Sequence, residues 1–391
     1  MIAWIAVRIR VLTLNVWALP FGIAPLEAER ITAIGKALPE YDADLVAFQE
    51  AWTEGSRARL LAAGASAGYR HHWMRPQARG GSGLLVLSRF PIEAAHFQSF
   101  RVEGDALRLD HSDYYGGKGF VILRVATPDG PLAFADTHLH ARYAKDTQSD
   151  SYFETRVAQV VQFATAIRTV AAPLIAAGDF NFREGEAEYA IWTGIGGSGD
   201  AAALLDRREA TIHAGNTYRA VGSWVENERI DYLFSRDGAD RGVVPVTVRR
   251  AFDEVQNIGG EPSSASDHAG VFAEFEVGGR AKPQTPPDPA SLEQARAILE
   301  TGLDQARARQ KIEGGAAIAT LALAVGAAKT SARVSRRRWL QGAAGALASC
   351  ATGFGWLAWR PSGERIAGFE AGLAEVDAFA AQEAPRRPHR E

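Results

Sequence analysis

The sequence predicts an α/β fold in which two β-sheets pack face to face and helices cover their outer faces. Up to about residue 277, short runs rich in β-branched and aromatic residues alternate with helical stretches, as in an α/β or α+β protein. Strand-like runs outnumber long helical ones, a pattern typical of sheet-on-sheet packing. Hydrophobic residues form 47% of the 391 residues and charged residues 23%, which allows a packed core and excludes global disorder.

The first predicted strand covers residues 8–15, where charged and apolar side chains alternate before the run becomes wholly apolar. This change suits a strand that leaves solvent and enters the core. Further strands are predicted at residues 44–48, 83–87, 119–125, 132–137, 174–177, 229–234, 243–248 and 271–277.

Two helices are predicted in the same region. One follows Pro25 and covers residues 26–38, and the other covers residues 150–170. The second helix carries apolar residues at helical spacing along one face. They are Phe153, Val157, Val160, Ala164 and Ile167.

The chain is predicted to change character after a first domain over residues 1–277. Residues 278–290 are rich in proline and predict a stiff linker. An amphipathic helix is predicted over residues 291–313, where Ser291 and Gln294 have the spacing of a capping box.

The C-terminal part is predicted to contain a transmembrane helical hairpin over residues 314–359, followed by a polar tail over residues 360–391. Residues 314–328 and 340–359 are uncharged apolar runs, about 22 Å and 30 Å long as helices, against a bilayer core of about 30 Å. The arginine-rich segment between them places the first domain outside the cell by the positive-inside rule. The N-terminus lacks the features of an export signal, which places the same domain in the cytoplasm, and the two indications stay opposed.

Charge and cysteine content narrow the classes of function. The net charge of −3 argues against non-specific attraction to a polyanion such as DNA. Cys350 is the single cysteine of the sequence, which excludes an intramolecular disulfide.

Polar residues stand at the ends of the predicted strands, and Asp231 stands inside one, in an order that indicates chemistry. A charged residue inside a strand needs a partner. Each alone has an ordinary structural explanation, such as a turn asparagine or a loop charge. Together they supply oxygen ligands for a hard divalent cation, a histidine near carboxylates for proton transfer and donors for a phosphoryl transition state. The set therefore predicts metal-assisted phosphodiester hydrolysis. Its members are Asn15, Glu50, His138, Asp179, Asn181, Asp231, Asp267 and His268.

The segments around these residues resemble the signature blocks of the endonuclease/exonuclease/phosphatase superfamily. The resemblance covers residues 8–277 and implies a four-layered, DNase I-like α/β sandwich with the site at one edge of the two sheets. The blocks are TLNVW at 13–17, QE at 49–50, THL at 137–139, GDFN at 178–181, RIDY at 229–232 and SDH at 266–268.

The resemblance implies a metal site and its ligands. Glu50 would hold Mg²⁺, or Mn²⁺ in its place, with Asn15 beside it and Asp267 as a neighbour of the ion.

The resemblance also implies catalytic roles. His268 would be the general base that activates water, oriented by Asp231, although Asp179 is an alternative base. Asp179 and Asn181 would position the nucleophile and the phosphoryl oxygens. His138 would donate a hydrogen bond to the developing negative charge.

Further segments narrow the resemblance to the neutral sphingomyelinases. They are LNVW at 14–17 with Pro20, EAWTE at 50–54, HH at 71–72, GSGL at 81–84, THLHARY at 137–143, RVAQ at 156–159 and GNT at 215–217.

The segment DYYGGK at 113–118 is similar to a loop of that subfamily in which an aspartate and a lysine work as a switch. A lysine on a glycine-rich loop can place a positive charge on a phosphoryl oxygen. The resemblance therefore implies that Lys118 takes part in catalysis and that Lys118, Asp113 and Asn216 bind substrate.

The predicted function is Mg²⁺-dependent hydrolysis of a membrane sphingolipid phosphodiester, in the simplest case sphingomyelin to ceramide and phosphocholine. The bilayer is the expected partner, and no nucleic acid partner is expected. A nuclease or a phosphoinositide phosphatase of the same superfamily is the alternative. A catalytically silent, membrane-tethered binding module would lack at least one site residue, whereas all of them are present.

Overall fold

The computed structural model describes residues 6–75, 82–105, 107–108, 111, 116–144, 149–219, 227–331 and 337–383. The strands are β1 (Val7–Ala18), β2 (Leu45–Ala51), β3 (His71–Met74), β4 (Leu85–Ser88), β5 (Ile92–Ser99), β6 (Gly119–Thr127), β7 (Gly130–His138), β8 (Leu174–Asp179), β9 (Gly199–Asp200), β10 (Asp231–Arg236), β11 (Arg241–Ala251), β12 (Gln256–Ile258), β13 (Glu261–Ser263) and β14 (Gly270–Arg280). The helices are α1 (Glu27–Tyr41), α2 (Glu54–Ser66), α3 (Phe153–Arg168), α4 (Ala187–Gly196), α5 (Ala201–Leu204), α6 (Pro289–Ser331), α7 (Arg337–Trp359) and α8 (Pro361–Glu383).

Twelve of these strands form two six-stranded sheets. The first sheet has the order β11-β14-β1-β2-β4-β3, and the second has the order β5-β6-β7-β8-β10-β9. β1 and β2 are parallel to each other, as are β7 and β8, whereas their other neighbours run antiparallel. The remaining two strands, β12 and β13, pair as a separate hairpin.

Three apolar clusters give the molecule four layers. Side chains alternate between the two faces of each strand, so that Val11 of β1 points between the sheets while Leu12 faces the helices. The cluster between the sheets joins Val11 and Leu45 to Phe134 of the second sheet. A second cluster packs the first sheet against α1 and α2, and a third packs the second sheet against α3, α4, α6 and α8. The predicted α/β sandwich is confirmed.

The elements predicted from sequence are present, and several short ones were missed. Each predicted strand overlaps an observed one, and the two predicted helices correspond to α1 and α3. The missed elements include the edge strand β5, which is largely exposed, and strands of two to four residues. Such segments are too short or too polar to show a hydrophobic period.

The segment after β14 lies against the two-sheet sandwich. β14 extends to Arg280, and further on Lys282 donates its backbone N–H to Asp237 (2.8 Å). The first half of α6 then buries Leu292 and Leu299 in the cluster that covers the second sheet. The domain boundaries proposed from sequence stay a prediction.

The capping box predicted at Ser291 is wrong. Helix α6 begins two residues earlier, at Pro289, and Asp288 accepts hydrogen bonds from the Ser291 backbone N–H (3.0 Å) and hydroxyl (2.7 Å). Proline suits the first helical position, because the backbone N–H that it lacks would have no hydrogen-bond partner within the helix. Aspartate is among the residues most favoured at the N-cap.

Helices α6 and α7 form an antiparallel pair. Gln310 of α6 donates to the carbonyl of Ala358 near the end of α7 (3.0 Å), and Ala317 faces Gly355. Among the described residues, α6 is the one helix that is long and apolar enough to cross a membrane, by length and composition alone. The two helices thus pack on each other where the hairpin is predicted, and both the transmembrane hairpin and its insertion in a membrane stay predictions.

Helix α8 follows α7 and packs against the two-sheet sandwich. Phe369 and Val376 are fully buried in the same cluster as the first half of α6. Glu375 accepts a hydrogen bond from Thr165 of α3 (3.0 Å). Both the start and the end of the C-terminal region are therefore packed against the second sheet and α3.

Candidate active site

The predicted site residues lie at one edge of the two sheets. The carboxyl ends of β1, β2, β7 and β8 meet there, with the starts of the antiparallel strands β6, β10 and β14. This topology brings together residues at the ends of seven strands, some as far apart in the chain as Asn15 and His268. Strand pairing fixes the registry directly, since Asp179 lies opposite both His138 and Asp231.

Asn15 links the carboxylates of the two sheets. Its side-chain amide donates to Glu50 Oε1 and to Asp179 Oδ2, each at 3.0 Å. The Asn15 carbonyl accepts a hydrogen bond of 2.6 Å from the Ser266 hydroxyl, which fixes the loop before His268. Asn15 therefore ties the ends of β1, β2 and β8 to the loop that leads into β14.

His138 lies between two carboxylates and a lysine. Its Nε2 is 3.4 Å from Asp179 Oδ2 and 3.9 Å from Glu50 Oε1. Lys118 is buried beside it, with Nζ 2.9 Å from His138 Nε2 and 2.9 Å from the Leu139 carbonyl oxygen that it donates to.

His268 and Asp231 form a buried pair. The His268 Nδ1 atom is 2.9 Å from Asp231 Oδ2, which leaves Nε2 directed towards Asp179 Oδ2 and Asp267 Oδ1, both at 4.0 Å. A carboxylate on one ring nitrogen fixes the tautomer and the orientation of the other nitrogen. The pair thus has the geometry of an oriented proton acceptor.

Two of these residues have an uncommon backbone conformation. Glu50 has φ 58° and Asn181 has φ 51°, in the left-handed region that residues with a Cβ rarely adopt. Asn181 is held by its side-chain donation to the Leu139 carbonyl (3.1 Å). Such conformations concentrate at functional sites, where the surrounding structure enforces them.

Burial and crowding of negative charge perturb the ionisable groups. Burial, followed by the charge of Asp267, raises the pKa of Glu50 to about 7. Burial and the charge of Asp231 likewise raise the pKa of Asp179 to about 7. Burial disfavours charged His268, but the negative charges of Asp231 and Asp267 outweigh it and raise the pKa of His268 to about 10.

The cluster fits a divalent metal ion. Ligand atoms of Asp179, Asp231 and His268 lie within 4.8 Å of one another. Glu50 Oε2 and Asp231 Oδ1 are buried acceptors without a hydrogen-bond partner in the described part of the chain, an unfavourable state that a cation would relieve. Carboxylate and amide oxygens are the ligands that a hard cation prefers.

The cluster opens into a cleft of about 600 Å³. Its floor is formed by site residues, and its walls combine charged and apolar side chains. The lining residues outside the predicted set are Trp17, Leu19, Pro20, Phe21, Ile23, Trp52, Gly116, Ala141, Arg142, Tyr143, Ile212, Arg219, Glu228 and Ile230.

Two of the residues predicted to bind substrate need separate comment. Asn216 is buried and does not line the cleft, because its amide donates to the Ser266 carbonyl (2.8 Å) and its Oδ1 accepts the Tyr218 N–H (2.9 Å). In this position it supports the loop that carries Asp267. Asp113 lies outside the described residues, so its part in a switch with Lys118 stays a prediction.

Two arginines of the cleft were not predicted. Arg142 pairs with Glu186 (2.6 Å), and Arg219 lies 3.8 Å from Asp267 Oδ2. Arg142 could have been noticed, since it belongs to the THLHARY segment, whereas the sequence around Arg219 carries no comparable pattern.

Comparison with known proteins gives a family match over most of the sandwich. Residues 12–268 match the model of the Endonuclease/Exonuclease/phosphatase family. A Drosophila melanogaster protein whose name places it among the neutral sphingomyelinases is 31% identical over 276 residues, which cover 69% of this chain and 61% of that protein. Inositol phosphosphingolipids phospholipase C of Schizosaccharomyces pombe is 31% identical over 261 residues, or 59% of this chain and 60% of that protein. The chain thus spans about 60% of the length of these two relatives.

A solved structure shares the fold. The crystal structure of D. rerio TDP2 complexed with single-strand DNA product superposes with a TM-score of 0.55 at 20% sequence identity, covering 68% of this chain and 98% of that one.

Proposed function

Because the chain belongs to the Endonuclease/Exonuclease/phosphatase family, we propose that it is a metal-dependent phosphodiesterase that hydrolyses a sphingolipid. In the simplest case the reaction converts sphingomyelin to ceramide and phosphocholine. The observation that carries the proposal is a cluster of carboxylates and histidines. Glu50, Asp179, His138 and His268 line one cleft, and the buried Asp231 contacts His268. A phosphodiester bound there would meet a proton acceptor and several donors at once.

Glu50, Asn15 and Asp267 would hold the divalent cation, which we propose to be Mg²⁺. When bound, the cation would offset the charge of the buried carboxylates and of the phosphoryl group, and its positive charge would lower the pKa of His268. The unpartnered Oε2 of Glu50 supports this assignment.

His268 is the proposed general base. Its Nε2 would take a proton from the attacking water, while Asp231 on Nδ1 keeps the ring oriented and stabilises the imidazolium that results. Asp179 is the second candidate, because a carboxyl whose pKa is raised to about 7 can also accept a proton near neutral pH.

Donors on the opposite side of the cluster would stabilise the phosphoryl transition state. Lys118 and His138 lie side by side, and the Asn181 amide lies at the same strand edge. Fixed donors directed at developing negative charge are among the largest contributions to catalysis. The ceramide oxygen would then leave phosphorus as water adds to it.

The lipid substrate is supported by both the relatives and the cleft. The two relatives are named for sphingomyelin and inositol phosphosphingolipid hydrolysis. The cleft wall contains the apolar side chains of Leu19, Phe21 and Ile23, which suit acyl chains better than a nucleic acid backbone.

We also propose that the second half of α6 and helix α7 tether the enzyme to a bilayer. Ile318 and Leu323 of α6 are exposed, as are Trp356 and Trp359 of α7. Apolar side chains facing outward and tryptophans near one end are typical of membrane-inserted helices. Either side of the membrane is compatible with this tether.

The test is hydrolysis of sphingomyelin in vesicles by the purified full chain with Mg²⁺. We expect turnover that chelation of the cation abolishes and that His268→Ala lowers by about 10³-fold or more, because the base is lost. His96→Ala is the matched control, since His96 is an exposed histidine on β5 away from the cleft. It should retain full activity.

A substrate panel separates the alternatives. Inositol phosphoceramide tests the head group, plasmid nicking tests a nuclease, and release of free phosphate from a phosphoinositide tests a phosphatase. No turnover of any phosphosphingolipid with Mg²⁺ would rule out the proposed function.

A further inference from the structure

Residues 19–23, which we call the rim loop, expose large apolar side chains at the mouth of the cleft. Phe21 is 96% exposed and Ile23 is 62% exposed. The segment from residue 19 to residue 25, LPFGIAP, contains no charged or hydrogen-bonding side chain. Leu19, Pro20, Phe21 and Ile23 all line the cleft that holds the site residues.

The rim loop is anchored at both ends by one buried arginine. Arg30, fully buried in α1, donates to the carbonyls of Val16 (3.0 Å) and Trp17 (2.8 Å) before the loop and of Pro25 (2.9 Å) after it. It also donates to Ala265 (3.1 Å), next to the loop that carries His268. The loop is therefore fixed relative to the catalytic histidine.

The backbone of the rim loop holds Phe21 outward. Phe21 has φ 62° and Gly22 has φ 72°, and Leu26 after the loop has φ 51°. Left-handed conformations at non-glycine residues are unfavourable and persist only where the structure enforces them. The backbone therefore keeps the Phe21 side chain exposed to solvent. Exposed apolar groups of this kind are typical of interaction sites.

Another part of the cleft lining is connected to the base of the α6–α7 pair. Tyr143 of the cleft stacks on His111, with ring centroids 3.7 Å apart. The same connection between β5 and β6 contains Asp105, whose carboxylate accepts two hydrogen bonds from Arg309 of α6 (2.7 and 2.9 Å). The cleft mouth and the proposed tether thus share a supporting segment.

We infer that the rim loop inserts Phe21 and Ile23 into the surface of a lipid bilayer and seats the cleft mouth on it. The inference rests on the proposed function, because a lipid must leave the bilayer and pass this rim to reach the site. An aromatic and an aliphatic side chain without neighbouring charge suit the boundary between head groups and acyl chains. If the rim loop bound a protein partner instead, the test below would show no contact between the loop and lipid.

The experiment places a fluorescent label on the loop of the full chain. Cys350 is the only cysteine, so Cys350→Ala together with Phe21→Cys allows an environment-sensitive nitrobenzoxadiazole label at position 21 alone. Val244→Cys in the same background is the matched control, because Val244 is 57% exposed on the edge strand β11 and does not line the cleft. The probe is phosphatidylcholine vesicles without sphingolipid, with and without spin-labelled lipid.

We expect the label at position 21 to shift its emission to shorter wavelength on vesicles and to be quenched at least about twofold by spin-labelled lipid, since only a group among the acyl chains meets the quencher. The label at position 244 should change in neither respect. Equal behaviour of the two labels, or failure of the chain to bind the vesicles, would overturn the inference. This readout needs no turnover, so it is independent of whether the proposed reaction occurs.

Activity provides a second readout. Phe21→Ser together with Ile23→Ser should lower the ratio of turnover on sphingomyelin vesicles to turnover on a soluble short-chain analogue by at least about tenfold, as expected for loss of two apolar side chains from the bilayer. Val244→Ser should leave that ratio unchanged. An unchanged ratio in the double variant would contradict lipid insertion. Absence of turnover by the unsubstituted chain on both substrates would contradict the proposed function.

Discussion

Lys118 is buried among the carboxylates and histidines of the proposed active site. Its Nζ lies 2.9 Å from His138 Nε2 and 2.9 Å from the Leu139 carbonyl oxygen. A compact ammonium at this position can stabilise charge on a phosphoryl oxygen that binds beside His138. The lysine therefore lies beside His138 of the proposed active site, and its part in a switch stays a prediction.

Replacement of this charge tests its role. We expect Lys118→Met, which keeps the length of the side chain and removes the charge, to lower kcat on sphingomyelin by about 100-fold. KM should change much less, because the interaction strengthens as charge develops. Steady-state kinetics with Mg²⁺ in excess measure both parameters.

The control for this substitution is Lys36→Met on α1, where the lysine is exposed and remote from the cleft. It should leave kcat unchanged. Thermal unfolding of Lys118→Met must show a folded protein, and full kcat in such a protein would exclude a catalytic role for the ammonium.

At the scale of elements, helix α8 contacts the segment after β5, where Glu103 carries a partly buried carboxyl group. Arg365 donates to the Glu103 carbonyl (2.7 Å), so the segment after β5 and the start of α8 are closely apposed. Burial, together with the charge of Glu364, raises the pKa of Glu103 from its ordinary value of 4.5 to about 7. The folded protein therefore holds this proton more tightly than the unfolded chain does.

The sign of this shift gives a dependence of stability on pH. The contribution of Glu103 is fully present below the unfolded pKa and is lost as pH rises through about 7, because the buried carboxyl must then ionise beside Glu364. We expect Glu103→Gln to raise the melting temperature at pH 8 by more than at pH 5. Scanning calorimetry at the two pH values measures the difference.

Glu93→Gln is a suitable comparison, since Glu93 is a half-exposed carboxylate paired with Arg124 on β6. It should not produce a stabilisation that grows with pH. Equal destabilisation by Glu103→Gln at both pH values would show that the pKa of Glu103 is not raised in the folded protein.

At the scale of the whole molecule, the C-terminal region divides into a part packed on the sandwich and a part that extends from it. Leu299 of α6 and Phe369 and Val376 of α8 are buried with the catalytic layers. The second half of α6 and most of α7 expose apolar side chains. Ala317 and Gly355 face each other across the pair, so a short connection between these two positions could replace the extended part.

Deletion of residues 318–354, with a short glycine–serine connection, should separate tethering from folding. We expect the melting temperature to stay within a few degrees, because the buried residues of α6 and α8 remain, and co-sedimentation with phosphatidylcholine vesicles to fall at least about tenfold. A chain ending at residue 288 should instead lose several kcal/mol of stability, because the side chains that cover α3 are gone.

Sedimentation equal to that of the full chain would show that the α6–α7 pair is not the tether. Loss of folding in the internal deletion would show that the extended part also supports the sandwich.

The amino-acid sequence was enough to predict the fold class and most residues of the candidate site. Alternation of apolar residues gave the main strands and helices, because period and burial are local properties of the chain. Functional side chains at strand ends gave Asn15, Glu50, His138, Asp179 and His268, because strand ends converge at the edge of a sheet. The family resemblance supplied their expected roles, and these stay proposals.

The contacts between the predicted elements and site residues became known only from the three-dimensional structure. The role of Asn15 as a link between the two sheets, the support given by Asn216 and the presence of Arg219 in the cleft depend on contacts between residues far apart in the chain. The same holds for the exposure of Phe21, since nothing local distinguishes an apolar loop that packs inward from one fixed outward by Arg30. The physical reason is that strand and helix periods specify which face of an element is apolar, whereas the partner of that face is set by packing of the whole chain.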